Sequence, residues 1–243
     1  MDLNNQITLL DCSLRDGGYY NNWDFEESFV DLYRDKIKEL PIDYIEIGYR
    51  NLIQKEYRGK YFYSLFLWLN QRGTPFFDPF WLLMSEKATN VVVYLSLVFF
   101  YGKRHGLKSA ALLLLVGGVL VGLTDQLTNL FKDGFMRLRP CHIAELDGMM
   151  RLVKASCGGK YGFFSGHSSN SFALAFFFSL IFKERKKLMP FLLFFASLIA
   201  YSRIYIGVHY PLDILCGALA GILMATLVYS LVNKRASHLL PPY

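Results

Sequence analysis

"YSRIYIGVHYPLDIL" (residues 201–215) lies between two strongly apolar runs, "LMPFLLFFASLIA" (188–200) and "LCGALAGILMATLVYSLV" (215–232). The flanks read as membrane-spanning helices. The junction nevertheless carries Arg203, His209 and Asp213. Charge next to hydrocarbon costs free energy, so these residues are read as functional.

Working outward, the chain of 243 residues is 53% hydrophobic, with a mean hydropathy of +0.25 and 19% charged residues. The average conceals a division. Residues 1–63 hold 8 Lys and Arg against 12 Asp and Glu, a net of −4; residues 64–243 hold 18 against 8, a net of +10. An acidic head of soluble character thus precedes a basic, apolar body, and the asymmetry points to two units of different origin. A basic membrane body suits anionic lipid or phosphate. Nucleic acid is not implied, because no basic helix or aromatic platform stands apart from the apolar runs. "MDLNNQITLL" lacks the basic and long apolar regions of a secretory signal, so insertion is expected to use internal spans.

The predicted fold class is mainly α: a polytopic membrane helix bundle with an interfacial segment and a small N-terminal β-α-β fragment. In the head, 6–14 reads as a strand ending in the turn "RDGG", 26–40 as a helix stopped by Pro41, and 42–49 as a second strand. The stretch from 62 to 84 is apolar but broken by Asn70, Gln71, Arg72, Gly73 and Pro75. As a span it would place Arg72 near the midplane at about 2.5–3.5 kcal/mol, so it is read as interfacial. Five spans follow, near 88–102, 108–131, 165–182, 188–206 and 211–233. The first is short against the roughly 20 residues a bilayer needs.

Basic connections alternate along these spans. Lys103, Arg104 and Lys108, then Lys183, Arg185, Lys186 and Lys187, then Lys234 and Arg235 fall on one side. The positive-inside rule makes that side cytoplasmic. The 132–164 loop and the 207–210 turn then face outward. Yet the outer loop is also basic, with Lys132, Arg137, Arg139, Arg151, Lys154 and Lys160. Topology does not account for those charges; a bound anion does.

Three clusters meet on this outer side: Lys132 with Arg139 and Pro140; Ser165-Gly166-His167; and Ser202-Arg203 with His209 and Asp213. Their chemistry suits phosphoryl transfer. Lys132, Arg139 and Arg203 offer fixed positive charge, and Arg binds oxygens bidentately. Ser165 and Gly166 open a helix, whose free N–H groups favour an anion. His209 is the candidate nucleophile, held by Asp213, and His167 the candidate acid. Taken singly, each cluster has a bland reading as a snorkelling anchor, a helix cap or a structural ion network. Three clusters with complementary chemistry on one face favour a site.

These motifs closely resemble the type 2 phosphatidic acid phosphatase family, related to the vanadium haloperoxidases. The family pattern of Lys-x6-Arg-Pro, Pro-Ser-Gly-His and Ser-Arg-x5-His-x3-Asp stands here as Lys132/Arg139/Pro140, Ser165/Gly166/His167 and Ser202/Arg203/His209/Asp213, with Phe164 in place of the motif's proline. The resemblance covers roughly 65–233. It implies a metal-independent, cofactor-free phosphatase acting on an anionic lipid phosphate monoester or pyrophosphate. Its intermediate would be a phosphohistidine on His209, with Asp213 orienting that residue and His167 as the acid. The expected location is a bacterial inner membrane with the site facing outward. Among smaller signals, Asp125 reads either as positioning a base of the site or as helix-packing glue. Cys141 and Cys157 share the outer loop and read equally as a disulfide or as two free thiols.

The head has its own resemblance. "LLDCSLRDGGYYNNWDF" and "LPIDYIEIGYR" resemble the start of a metal-dependent TIM-barrel aldolase or HMG-CoA lyase-like enzyme, with Arg15 and Asp16 in the catalytic positions. A barrel takes about 250 residues, so a truncated fragment over 1–63 is expected, not a lyase. The domains expected are therefore this fragment and a membrane-embedded lipid-phosphatase domain over 64–243. The competing functions are a non-catalytic membrane scaffold or binder, and an aldolase-type fragment fused to a membrane anchor.

Overall fold

The structure is a computed structural model that describes residues 9–21, 24–46, 49–51, 62–236 and 238–243. The chain separates into two units, Met1–Trp68 and Leu69–Tyr243.

In the first unit β1 (Leu10–Asp11) pairs in parallel with β2 (Tyr44–Ile45), and two helices intervene in the chain. These are α1 (Ser13–Asn21) and α2 (Glu27–Ile37). The predicted turn at "RDGG" is instead part of α1. Its cause is Asp11, whose Oδ1 accepts from the backbone N of Ser13 at 3.2 Å and from its Oγ at 2.6 Å, so that a helix starts where a turn was expected. The helix read over 26–40 ends about a turn early, before Pro41, and buries Val30 and Ile37. A second parallel pair joins β3 (Tyr49–Asn51) to β4 (Phe62–Ser64). Residues 6–8 and 47–48 of the predicted strands lie outside the described residues. The described strands form two two-stranded sheets and close no barrel.

The stretch read as interfacial breaks into α3 (Leu65–Asn70), a turn, and α4 (Asp78–Ser85). The second unit continues with α5 (Lys87–His105), α6 (Leu107–Phe135), α7 (Gly166–Ile181), α8 (Leu188–Tyr205) and α9 (Pro211–Ala236). Three described helices, α6, α8 and α9, are long and apolar enough to cross a membrane. A fourth crossing arises if α4 and α5, bent by 61° at their junction, are taken together. At 16 residues, α7 is shorter than the usual span.

Helix α7 is the axis of the bundle. It packs against α6, α8 and α9, and its Ala173, Ala175 and Phe177 are wholly buried. Its approach to α9 is close because α9 offers glycine there. A Cβ built on Gly217 would lie 2.6 Å from the Ser165 carbonyl oxygen, and one on Gly221 would collide with that of Ser169. Small residues let membrane helices approach to backbone contact in this way. Outward faces are apolar: Leu115, Leu219 and Leu223 are 63%, 63% and 70% exposed, a surface suited to lipid rather than water.

Candidate active site

The site is built from helix ends. The last turn of α8 delivers Arg203, and the five residues that follow form a closed connection. Backbone N–H groups of Ile206 and Gly207 donate to Ser202 and Ile204, and those of Val208 and His209 both donate to the Arg203 carbonyl, at 3.0 and 3.2 Å. Gly207 has φ +87°, a left-handed conformation in which a Cβ would also meet the Arg151 carbonyl oxygen at 2.5 Å. Helix α9 then opens at Pro211, a position where the ring's fixed φ fits. Asp213 reaches back to cap its own helix, Oδ2 accepting from the Tyr210 N–H at 2.9 Å.

The same Oδ2 lies 3.2 Å from Nδ1 of His209. His209 and Asp213 are both buried, at 2% and 0% exposure. Burial pushes the His209 imidazole down to about 4, against the pull of Asp213, which raises it. The other carboxylate oxygen, Oδ1, takes Arg137 Nη1 at 3.2 Å, and the Arg137 guanidinium stacks 4.5 Å from the Tyr210 ring centre. The Asp213 carbonyl also accepts from the Ser165 N–H at 3.0 Å, tying the start of α9 to the start of α7.

A cavity of about 850 Å³ opens beside this pair. Lys132, Arg139, Gly166, His167, Arg203 and His209 all contribute to its wall. Six of the eight predicted site residues thus share one surface. The other two stand behind it. Asp213 backs His209, and Ser165 is wholly buried, its Oγ accepting from the Ser168 N–H at 3.4 Å as the N-cap of α7.

The cations are held without being neutralised. Arg139 is pinned by carbonyls, with Nη1 donating to Cys157 at 2.8 Å and Nε to Tyr161 at 3.2 Å. Arg203, 4% exposed, donates from Nη1 to Ser85 Oγ, while its Nε has no partner among the described residues. Among the described ion pairs, none joins Lys132, Arg139 or Arg203 to a carboxylate. A buried guanidinium left with an unpartnered donor, as in Arg203, calls for an anion. Cys141 and Cys157 form a disulfide, so the carbonyl that holds Arg139 belongs to a cross-linked loop. Phe164, where the motif has proline, is buried with its ring 5.0 Å from that of Phe131 on α6.

Three contributors escaped the sequence reading. Arg137 was read only as loop charge. Ser85 gave no signal, because a lone serine before a helix is commonplace. Asn70 was read as a break in an apolar run; wholly buried, it donates to the carbonyls of Arg151, Ile204 and Tyr205 and accepts from the Arg151 N–H at 2.7 Å. It caps the end of α8, just where Arg203 emerges.

Comparison with known proteins identifies the family. The model of the PAP2 superfamily matches residues 106–237. A lipid A 4'-phosphatase of Porphyromonas gingivalis is 39% identical over 170 residues, which is 68% of this chain and 70% of the relative. A lipid A 4'-phosphatase of Bacteroides thetaiotaomicron is 32% identical over 181 residues, 72% of this chain and 79% of the relative. The crystal structure of Aquifex aeolicus LpxE superposes with a TM-score of 0.53 at 25% identity, over 68% of this chain and 93% of that one. A PAP2-type phosphatidylglycerolphosphate phosphatase from Bacillus subtilis shares the fold, with a TM-score of 0.52 at 24% identity over 70% and 83% of the two chains. By its motifs, its helical framework and the span of the family match, the chain belongs to the PAP2 superfamily.

Proposed function

We propose that this protein is an integral-membrane phosphatase that hydrolyses a lipid phosphate monoester. The observation that carries the reading is the wall shared by His209, oriented by Asp213, and three unneutralised cations, Lys132, Arg139 and Arg203. With Nδ1–H donated to Asp213, Nε2 of His209 keeps its lone pair for attack. Nε2 attacks phosphorus, the bond from phosphorus to the lipid oxygen breaks, and His167 protonates the departing oxygen. Water then cleaves the phosphohistidine and returns both imidazoles to their starting states. Lys132, Arg139, Arg203 and the N–H groups at Gly166 stabilise the charge that spreads over the phosphoryl oxygens. The scheme draws its positive charge from side chains and assigns no role to a metal or cofactor.

The likeness to two lipid A 4'-phosphatases favours the 4'-phosphate of lipid A as substrate. The alternating basic connections favour five spans with the site on the outer face of a bacterial inner membrane. We read residues 64–243 as the phosphatase domain and 1–63 as a β-α-β fragment without a part in the reaction. The aldolase-like reading of that fragment rests on its sequence motif alone. Removing 1–63 is expected to leave phosphatase activity within a small factor.

The test is phosphate release by the purified protein in detergent from lipid A, phosphatidic acid and p-nitrophenyl phosphate, with chelator present. The wild type should release phosphate and form a labelled, acid-labile phosphoenzyme; His209→Ala should do neither. A phosphoenzyme that persists in His209→Ala overturns the nucleophile, and no release from any ester overturns the function.

A further inference from the structure

The pose of Arg203 is set from outside the cavity. Its guanidinium is buried, and its hydrogen-bond partner among the described residues is Ser85 Oγ. Ser85 is buried too and takes no part in the cavity wall. It occupies a particular place in the chain. It ends α4, and after Glu86, whose backbone is extended, α5 leaves at 61°. Lys87, the first residue of α5, already lines the cavity. Ser85 thus stands at the vertex of a bend, and the lie of α4 against α5 decides where its hydroxyl points.

Helix α4 has two faces. One is docked on the end of α8. Trp81 stacks on Tyr205 with ring centres 5.2 Å apart and meets Tyr201 at 4.9 Å. Asp78 Oδ1 accepts from Tyr205 Oη at 2.8 Å and from Arg151 Nη2 at 2.9 Å. The other face is bare: Phe77, Phe80 and Leu83, at three-residue spacing, are all exposed, and Phe76 in the turn before them is 83% exposed.

The depth of α4 says what covers that face. Helix α8 is apolar enough to cross a membrane, and its 18 residues rise about 27 Å, close to the roughly 30 Å of a hydrocarbon core. Its end, with Tyr201 and Tyr205, therefore lies at the boundary between acyl chains and headgroups. Helix α4, packed on those rings, lies at the same level. Trp and Tyr concentrate at that boundary. The bare face also continues a lipid-facing surface along α5, where Val92 and Phe99 are exposed. A short helix so placed, polar contacts on one side and phenylalanines on the other, lies in the plane of the bilayer surface.

We infer that α4 is an interfacial arm that couples seating in the bilayer to the phosphate end of the cavity: its phenylalanine face anchors among acyl chains, and Ser85, at its end, is a positioning residue for Arg203. Bilayer depth sets the angle of α4, the angle sets the Ser85 hydroxyl, and the hydroxyl holds Arg203 Nη1. The remaining guanidinium donors are then directed to phosphoryl oxygens. The inference rests on the phosphatase reading for the anion that Arg203 meets.

The test uses the full chain in liposomes of phosphatidylethanolamine and phosphatidylglycerol. It reads affinity for inorganic phosphate by calorimetry and kcat/KM on p-nitrophenyl phosphate, whose solubility in water removes any effect of lipid presentation. Phe76→Ser with Phe77→Ser, and separately Ser85→Ala, should each weaken phosphate binding and kcat/KM about tenfold, the worth of one hydrogen bond to a charged group. Ser85→Thr, which keeps the hydroxyl, should bind phosphate as the wild type does. The phenylalanine pair and Ser85→Ala combined should cost no more than Ser85→Ala alone, since both act on Arg203 by one route. Phe194→Ser, on the exposed side of α8, should change neither quantity. Summed losses in the combined variant, unchanged affinity in Ser85→Ala, or an equal loss in Phe194→Ser overturn the coupling. A nitroxide at Phe77→Cys, with Cys12→Ser and Cys216→Ser, reads the seat itself. Oxygen should reach it more than a water-soluble nickel complex does. A label shielded from both reports a protein partner or a second copy, and one open to nickel reports water; either overturns the membrane seat. A wild type that binds phosphate but cleaves no ester overturns the phosphatase reading, and the arm is then decided on affinity alone. A wild type that does neither overturns both.

Discussion

Arg137 and His209 hold opposite oxygens of one buried carboxylate: Arg137 Nη1 reaches Asp213 Oδ1 at 3.2 Å, and His209 Nδ1 lies 3.2 Å from Oδ2. The carboxylate cannot rotate without losing one of them. Arg137 itself is outside the cavity wall, so in the proposed reaction it would act through Asp213.

Arg137→Ala is accordingly expected to lower kcat about 10- to 100-fold, the value of a charge-assisted hydrogen bond, with little change in KM. The acid limb of the pH profile should also move. His209 must be unprotonated to attack, and Arg137 helps to offset the Asp213 charge that favours its protonation. Without Arg137 the imidazolium is better stabilised, so activity should fail at a higher pH than in the wild type. Arg137→Lys should recover part of kcat. A limb displaced to lower pH, or an unchanged kcat, contradicts the role.

The assignment of His167 can be separated from that of the cations by the leaving group. An alkoxide needs a proton and p-nitrophenolate does not. General acid catalysis is worth about 100- to 10,000-fold. His167→Ala should lose most of its activity on a lipid monophosphate and keep far more on p-nitrophenyl phosphate. Arg203→Ala should lose both alike, since the phosphoryl group is common to the two. Parallel losses in His167→Ala would rule out the acid.

The disulfide is expected to bear on substrate affinity as well as stability. Cys141 and Cys157 are separated by 16 residues, and the Cys157 carbonyl holds Arg139. Replacing both by Ser should reduce unfolding free energy by about 3 kcal/mol through loop entropy. KM for the lipid phosphate should rise several-fold as Arg139 loosens. Thermal denaturation and kinetics with and without a reductant check this; an unaltered KM in a destabilised variant would confine the bond to stability.

Helix approach supplies the fourth prediction. A methyl group at Gly217 would press on the Ser165 carbonyl at 2.6 Å and the Ser168 Cβ at 3.2 Å. Gly217→Ala should therefore part α9 from α7, weaken the Ser165–Asp213 tie and cost about 1–3 kcal/mol, with a matching drop in kcat. Gly122→Ala, where nothing lies within 4 Å, should be neutral or slightly stabilising. Equal behaviour of the two would show that the close approach is unimportant.

The portions of this molecule that could be read from sequence were those in which chemistry and local pattern coincide. Charged residues beside hydrocarbon mark themselves, so Lys132, Arg139, Arg203, His209 and Asp213 stood out before any fold was known. Long apolar runs gave α6, α8 and α9 within a few residues. Asn70, Ser85 and Arg137 could not be found this way. Their importance lies in contacts 81 to 135 residues away in sequence for Asn70, 118 for Ser85 and 76 for Arg137. No local pattern encodes such a partner. The start of α1 was misread for the opposite reason: "RDGG" carries a strong turn signal, and the capping contact from Asp11 outweighed it.

The connection between α8 and α9 is short, lacks regular structure and lies at a membrane face, features that usually mean rapid local opening. Yet every amide from Ile206 to Tyr210 is engaged, and Ile206 to His209 are buried. With no free amide, the segment has no opening mode of its own; to expose His209 N–H, the end of α8 must fray or α9 must separate from α7. In hydrogen-exchange terms His209, the proposed nucleophile, belongs to the same cooperative unit as the helical core. The backbone that carries the His209 imidazole is thus as fixed as the helices on either side, and on the proposed mechanism any motion that limits turnover is expected to arise outside this segment.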